Sequence, residues 1–287
     1  MKVIFEASDG RTVELYGNPY RLYHFEGFGD VYSETQMQRV PYQDGNTYVD
    51  SNLQSRTITL ELRINAKNES ELVSLRSYLA SVFNPKLGLG KLTRIIGDDI
   101  KEIECVADSL PFFPEGAGNR GRTFQKALIN LTAPFPYWRS PEVTTEPLAA
   151  FLPRFRFPFR FPVVFGERGS QATLYNDGDV PCPIEIEFNG PAQLPIVRNV
   201  TTGEFIRIEK SLNVGEKLII NTSHGRERKV IVDKGNGEIE NAFHYIDIWE
   251  STLFQLAVGE NVIEYDAVAS GGQAVVRISY RKLYAGV

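Results

Sequence analysis

Arg56-Thr-Ile-Thr-Leu-Glu-Leu-Arg-Ile-Asn65 is the most regular stretch of the chain. Ile58, Leu60, Leu62 and Ile64 fall on one side of an extended backbone, and Thr57, Thr59, Glu61 and Arg63 on the other. Such alternation marks a strand with one buried face. A helix follows: Asn68 and Glu71 have capping-box spacing, and Leu72, Leu75, Leu79, Val82 and Phe83 recur at helical intervals until Asn84-Pro85 stops them. That helix should lie on the sheet. Upstream, Val3 to Phe5 and Thr12 to Tyr16 flank Ser8-Asp9-Gly10 as a β-hairpin. Downstream, strands are expected at Lys91 to Ile96, Ile100 to Ala107 and Phe124 to Thr132, the first two joined by the tight turn Gly97-Asp98-Asp99. Phe112 to Gly121, rich in Gly and Pro, reads as a flexible loop.

Between the hairpin and this strand, Gly17 to Gln54 sets Tyr20, Tyr23, Phe25, Phe28, Tyr32, Tyr42 and Tyr48 among Gly, Asn and Asp without strand periodicity. It reads as loop, longest around Val40-Pro-Tyr-Gln-Asp-Gly-Asn46. Two roles fit equally: an interaction surface, or a loop pinned by buried tyrosines.

Ala150 to Phe165, AFLPRFRFPFRFPVVF, separates two unlike halves. Phe151, Phe155, Phe157, Phe159 and Phe161 point one way when extended, Arg154, Arg156 and Arg160 the other, and Pro153, Pro158 and Pro162 exclude a helix. Packing of the phenylalanine face outweighs base stacking, because three arginines are a small footprint in a chain of net charge -5. The expected division is 1–147, a linker at 148–165, and 166–287. Beyond the linker, strands are expected at Ala172 to Tyr175, Pro183 to Phe188, Glu204 to Ile208, Lys217 to Ile220, Arg228 to Val232, Thr252 to Leu256, Asn261 to Tyr265 and Ala274 to Tyr284. Short strands separated by glycine turns argue for a sandwich or jelly roll.

Up to Pro147 there are 16 Lys and Arg against 19 Asp and Glu, so neither half carries a basic field suited to strong DNA binding. Cys105 and Cys182 fall in different halves without metal or redox spacing and read as core residues of a protein folded in a reducing compartment. No run approaches membrane-spanning length, and the amino terminus lacks the apolar core of a signal peptide.

Catalytic motifs are missing. His24, His224 and His244 have no partner at metal-ligand spacing, and GxSxG, P-loop and GxGxxG patterns are absent. Ser223 and His224 sit in a turn, where a triad would need a distant Asp. Asp98-Asp99 reads as a turn, and Glu185 with Glu187 as one polar face of a strand. Trp249 reads as core with Ile246, Ile248 and Leu253 around it; the weaker alternative is a sugar-stacking platform with Tyr245. No catalytic, cofactor-binding or metal residue is nominated.

Taken in order, these segments resemble the distal tail protein (Dit) family of long-tailed bacteriophages and related prophages. The resemblance spans nearly the whole chain. In the first half it rests on the opening hairpin, Arg39-Val-Pro-Tyr-Gln-Asp-Gly45, the strand from Arg56, and the helix ending in Phe83-Asn84-Pro85. In the second it rests on Leu174-Tyr-Asn-Asp-Gly-Asp-Val-Pro-Cys-Pro183, Phe188-Asn-Gly190, Pro195-Ile-Val-Arg-Asn-Val-Thr-Thr-Gly203, Leu212-Asn-Val-Gly-Glu216 and Val258-Gly-Glu-Asn-Val262. The resemblance implies a mainly β protein: an N-terminal split-barrel or sandwich domain with one flanking helix, then a galectin-like jelly-roll sandwich. It implies a non-enzymatic virion component, assembled in the bacterial host cytoplasm. Its first domain would close as a homo-hexameric ring joining the tail tube protein to the tail-tip hub or lysin, and would anchor receptor-binding proteins. DNA would pass through without specific binding; neither cofactor nor membrane is implied. The rival functions are a carbohydrate-binding module on the tail tip and a wall-degrading enzyme.

Overall fold

The computed structural model describes residues 1–145, 148–149, 171–266 and 275–287. The phenylalanine-arginine strip at 150–165 lies outside the described residues. The chain divides into two compact units, Met1–Pro141 together with Tyr284–Val287, and Glu142–Leu283.

The first unit contains β1 (Lys2–Glu6), β2 (Thr12–Glu14), β3 (Tyr20–Glu26), β4 (Ser33–Gln38), β5 (Thr47–Leu53), β6 (Arg56–Asn65), α1 (Glu69–Val82), β7 (Gly90–Ile96), β8 (Asp99–Ala107), β9 (Phe124–Ala133) and β10 (Trp138–Arg139). Its main sheet runs β2-β1-β7-β8-β9-β6-β3 with antiparallel neighbours. Strand β8 joins its two halves: Asp99–Cys105 pair with β7, and Val106 and Ala107 with β9. The alternation in β6 has the expected result, since Ile58, Leu60, Leu62 and Ile64 are all fully buried. Each such side chain contributes roughly 1.5–3 kcal/mol of transfer free energy. Helix α1 begins as its spacing requires. Asn68 Oδ1 accepts from the Glu71 N–H at 2.9 Å, and Glu71 Oε2 accepts from the Lys67 N–H at 2.6 Å. The helix buries Leu72, Leu79 and Val82. Beyond it Phe83 stacks on Phe5 of β1 with ring centroids 4.3 Å apart.

Two parts of this unit depart from the sequence expectation. Residues 17–54 hold three strands, because β3 pairs with β6 and β4 pairs with β5. Of the tyrosines there, Tyr20 is buried and donates to the Leu75 carbonyl, whereas Tyr23, Tyr32, Tyr42 and Tyr48 are exposed. The segment before β9 is pinned rather than free: Phe112 exchanges two backbone bonds with Leu128, and the Gln125 amide donates to Pro114 O at 2.8 Å.

The second unit contains β11 (Val143–Thr144), β12 (Leu148–Ala149), β13 (Gln171–Asn176), β14 (Ile184–Asn189), β15 (Ile196–Asn199), β16 (Phe205–Arg207), β17 (Lys217–Asn221), β18 (Lys229–Asp233), β19 (Ile239–Asn241), β20 (Gly259–Asp266) and β21 (Val275–Tyr280). One sheet runs β11-β21-β14-β17-β18-β19, the other β13-β20-β15-β16. Phe188 of β14 meets Tyr265 of β20 edge-on at 5.4 Å, so the sheets face each other across a core. This is the expected sandwich. Sequence reading missed β11, β12, β15 and β19, and Thr252 to Leu256 is not a strand; only Leu256 forms a bridge, to Cys182.

Trp249 also corrects the expectation of a core residue, being 92% exposed, with Ile248 beside it at 70%. Asp247 causes this. Its Oδ1 accepts from the Trp249 N–H at 3.2 Å and the Glu250 N–H at 3.4 Å, and its Oδ2 pairs with Arg207 Nη1 at 3.1 Å. The captured turn aims both side chains outward while Ile246 turns inward.

Buried Arg56 ties the first unit together through backbone carbonyls. It donates to Pro136 O at 2.8 Å, Gly27 O at 2.9 Å, Phe28 O at 3.1 Å, Asp30 O at 2.8 Å, and Ala285 O. Gly27, at φ 83°, allows the approach, because a Cβ there would collide with the Thr57 carbonyl. Arg56→Met should destabilise this unit by at least about 3 kcal/mol, since several buried acceptors lose a donor at roughly 1–3 kcal/mol each. Arg56→Lys should restore only part, because an ammonium lacks the planar fork. Urea unfolding followed by the emission of buried Trp138 reports on this unit, the other tryptophan being solvent-exposed; an unchanged midpoint in Arg56→Met would refute the assignment.

Candidate functional site

The residues that could have carried chemistry are all engaged elsewhere. Ring nitrogens of His224 lie 3.0 Å from Arg228 Nη2 and 3.1 Å from Gln255 Nε2, so no carboxylate orients the imidazole toward Ser223. His24 meets Glu26 at 3.1 Å and His244 stacks on Tyr245, centroids 3.9 Å apart. Asp99 is held below the usual carboxylate range by hydrogen bonding to Lys101 at 2.7 Å, with Arg94 at 3.1 Å adding to it. Glu185 and Glu187 lie along β14 as expected, 3.3 Å from Lys229 and 3.6 Å from Lys217. Among the described residues no three His, Cys, Asp or Glu gather as a metal site, and no helix is long and apolar enough to cross a membrane.

What the structure offers instead is unpaired surface. Strands β4 and β5 form a two-stranded sheet of their own, with a register shift between Gln36 and Met37. No residue of either strand is buried. An isolated two-stranded hairpin is marginal in water unless something covers it. This one exposes Met37 and Val40, with Tyr42 at its tip and Tyr48 and Val49 on the return strand. Its tip is ordered by Gln43, whose N–H donates to Val40 O at 3.2 Å and whose side-chain amide donates to Thr47 Oγ1 at 3.0 Å. Sequence periodicity could not find this hairpin, because Ser-Glu-Thr-Gln-Met-Gln and Thr-Tyr-Val-Asp-Ser-Asn-Leu bury no face and therefore do not alternate. The usable signal was Asp44-Gly45 between two β-compatible runs.

The main sheet of the first unit ends in two different edges. At one, β3 carries exposed Tyr23, His24 and Phe25 and a bulge after Leu22. At the other, β2 is partly guarded, since Tyr78 of α1 donates to the Thr12 carbonyl at 3.0 Å. A free edge can accept a strand from another chain.

In the second unit, buried asparagines account for several of the recurring segments. Asn176 donates to Val180 O and Leu256 O, both at 3.1 Å, and Asn199 donates to Asn261 Oδ1 at 3.0 Å. Asn261 in turn holds the 257–259 turn through Ala257 O and Gly259 O. The segments around Asn176, Asn199 and Asn261 thus fold as side-chain-locked turns, not as a reactive site. At the surface, Arg207 braces the Trp249 turn through Asp247 and through Glu250 at 2.8 Å.

Comparison with known proteins agrees with this architecture. Residues 8–133 match the phage tail protein RIFT-related domain, and residues 177–284 match the siphovirus-type tail component, C-terminal domain. Among solved structures, the chain is similar to the Dit protein (gp 19.1) of SPP1, described as a paradigm of the hub adsorption apparatus in phages infecting Gram-positive bacteria. That likeness has 13% identity and a TM-score of 0.68 and covers 98% of both chains. A chain of the phage P2 baseplate in its activated conformation with Ca is similar at 12% identity and a TM-score of 0.58, covering 100% of this chain and 99% of that one. The same baseplate with Sr gives 12% identity and a TM-score of 0.56 over 97% of each chain. At these identities the structural likeness is one of fold. No curated protein matches by sequence.

Cys105 and Cys182 are both buried and free, as their sequence context suggested. Burial pushes each thiol up to about 12, which favours the protonated form and leaves on the order of one part in ten thousand as thiolate at pH 8. The native chain should therefore react negligibly with a thiol-specific disulfide reagent at pH 8 and take up two equivalents after denaturation. Rapid native labelling, read by absorbance, would contradict the burial of both.

Proposed function

Because the chain belongs to the distal tail protein family of long-tailed phages and is a structural component of the phage tail, we propose that it closes as a homo-hexameric ring. This ring would link the tail tube protein to the tail-tip hub or lysin. It would also present receptor-binding or other baseplate proteins with a platform. Assembly would take place in the host cytoplasm, and the working location is the distal tail of the virion.

The observation that carries this reading is the uncovered β4–β5 hairpin. A soluble monomer gains nothing from an extended ribbon with tyrosine, methionine and valine in water, whereas a neighbouring copy can bury it. Cyclic closure also requires two different complementary surfaces on each copy, and the first unit has a protruding ribbon and a free β3 edge. The proposed division of labour follows the two compact units: the first forms the ring, and the second, a galectin-like sandwich, carries outward contacts.

A second reading, sugar binding by the sandwich, is favoured by the exposure of Trp249 on a braced turn. A glycan array of cell-wall saccharides decides it: specific binding lost in Trp249→Ala supports a glycan platform, and no binding leaves the structural role alone.

The full chain should scatter light as a sixfold assembly at high concentration. Replacing Glu34–Asn52 by a short glycine linker should leave the thermal unfolding of both units nearly unchanged and yield a monomer. A hexamer that survives loss of the ribbon would assign ring closure to another surface. Incubation with peptidoglycan should release no soluble fragments; turnover abolished by a single carboxylate substitution would overturn the structural reading.

A further inference from the structure

On the outer face of the first unit, β3, β6, β9 and the segment before β9 border an open recess of about 220 Å³. Tyr23, Phe112 and Pro114 wall it, and Glu61, Lys126 and Leu128 line its base. Enclosing sites for small molecules usually run to roughly 300–1,000 Å³, so this space suits a single side chain better than a free ligand. Two of its walls are aromatic rings left in water, Tyr23 half exposed and Phe112 more so. Neither charge at its base forms an ion pair among the described residues, and desolvation, with neighbouring Glu61 adding to it, raises the Tyr23 phenol above its ordinary pKa.

The hairpin tip has the converse form. Tyr42 stands fully exposed at φ 66°, a left-handed conformation that a bulky residue rarely adopts without a local constraint. Gln43 supplies that constraint by holding Val40 and Thr47, so the ring is presented on an ordered turn. Arg39 and Asp44 flank Tyr42, are exposed, and form no ion pair among the described residues. One cation and one anion beside an aromatic knob therefore match one anion and one cation beneath an aromatic-walled recess.

We propose that the hairpin tip of one copy seats Tyr42 in the Tyr23–Phe112 recess of a second copy, with Arg39 facing Glu61 and Asp44 facing Lys126. The occupant is the same chain because its tip carries both the ring and the complementary charges, while the tip's own ring remains in solvent. Knob and recess belong to different elements, so each copy gives one contact and receives one. Such a head-to-tail contact propagates around a ring. This inference rests on the ring reading and identifies the surface that closes it.

The test uses the full chain with Tyr42→Cys and Phe112→Cys together, treated with a short bismaleimide. The native thiols are buried, so wild type provides the uncrosslinked control. Expected is a ladder of covalent multiples ending at the ring size, and only dimers from an equal mixture of the two single variants. Asn119→Cys, also on the recess lining, replaces Phe112→Cys if that variant misfolds. Independently, Arg39→Glu should raise the concentration at half-assembly about tenfold, and Arg39→Glu with Glu61→Arg should bring it back. If wild type assembles but the paired cysteines give only internally linked monomer or no product, the recess contact is wrong and the ring reading stands. A double charge reversal that assembles worse than either single one also overturns it. Wild type that stays monomeric at every concentration refutes the ring reading, and this contact with it.

Discussion

A single buried guanidinium sets the terms for the first unit. Taking a cation out of water costs several kcal/mol, and with no carboxylate among the described residues within bonding distance, Arg56 recovers this through an array of backbone carbonyls. Burial lowers its pKa, nearby Asp30 opposes that shift, and an arginine stays charged in any case. The carbonyls come from the 27–30 turn, from Pro136, and from Ala285 at the far end of the chain. Trp138 adds a fourth fixed point by donating its indole N–H to the Phe28 carbonyl at 3.0 Å. Segments with little apolar surface are thereby positioned by hydrogen-bond geometry. The base of the β4–β5 ribbon emerges beside this cluster, since Asp30 is bonded to Arg56 and Ser33 opens β4.

How much could be read from the residues follows from what each segment buries. Strand β6 and helix α1 were readable because half of each faces a core, and burial imposes a period. Strands β4 and β5 were not, because neither face is buried within the chain, and residues that bury no face have no reason to follow a strand period. Arg56 is a different case. It stands at the first position of a well-read strand, on the same side as Ile58, and alternation alone assigned the apolar positions while saying nothing of why a cation shares their face. Trp249 defeats such reading because its apolar neighbours Ile246 and Leu253 imply packing, whereas an Asx-type turn from Asp247 decides the direction of the indole.

The surface proposed for assembly shows the same logic in energetic form. A protein that must remain soluble before assembly cannot present one large apolar face. Here the apolar groups are spread along a narrow ribbon among Ser, Thr, Gln and Asn, and the tip carries charges of both signs. Specificity then depends on fit and charge placement, and the backbone at Tyr42 is constrained by its own turn before any partner arrives.

The chain path through Ala285 has a temporal consequence. Arg56 and Ala285 are 229 residues apart in sequence, and the second unit lies wholly between the two parts of the first. During synthesis, the β-sheet and helix of the first unit emerge well before the residues that complete the carbonyl array around Arg56. Until translation delivers residues 284–287, that guanidinium lacks one of its acceptors and the 27–30 turn lacks the Val287 N–H that donates to the Phe28 carbonyl at 3.3 Å. The ribosome thus reaches the closing contact of the first unit only after the second has been made, so an unfinished chain carries the ribbon on an incompletely braced base.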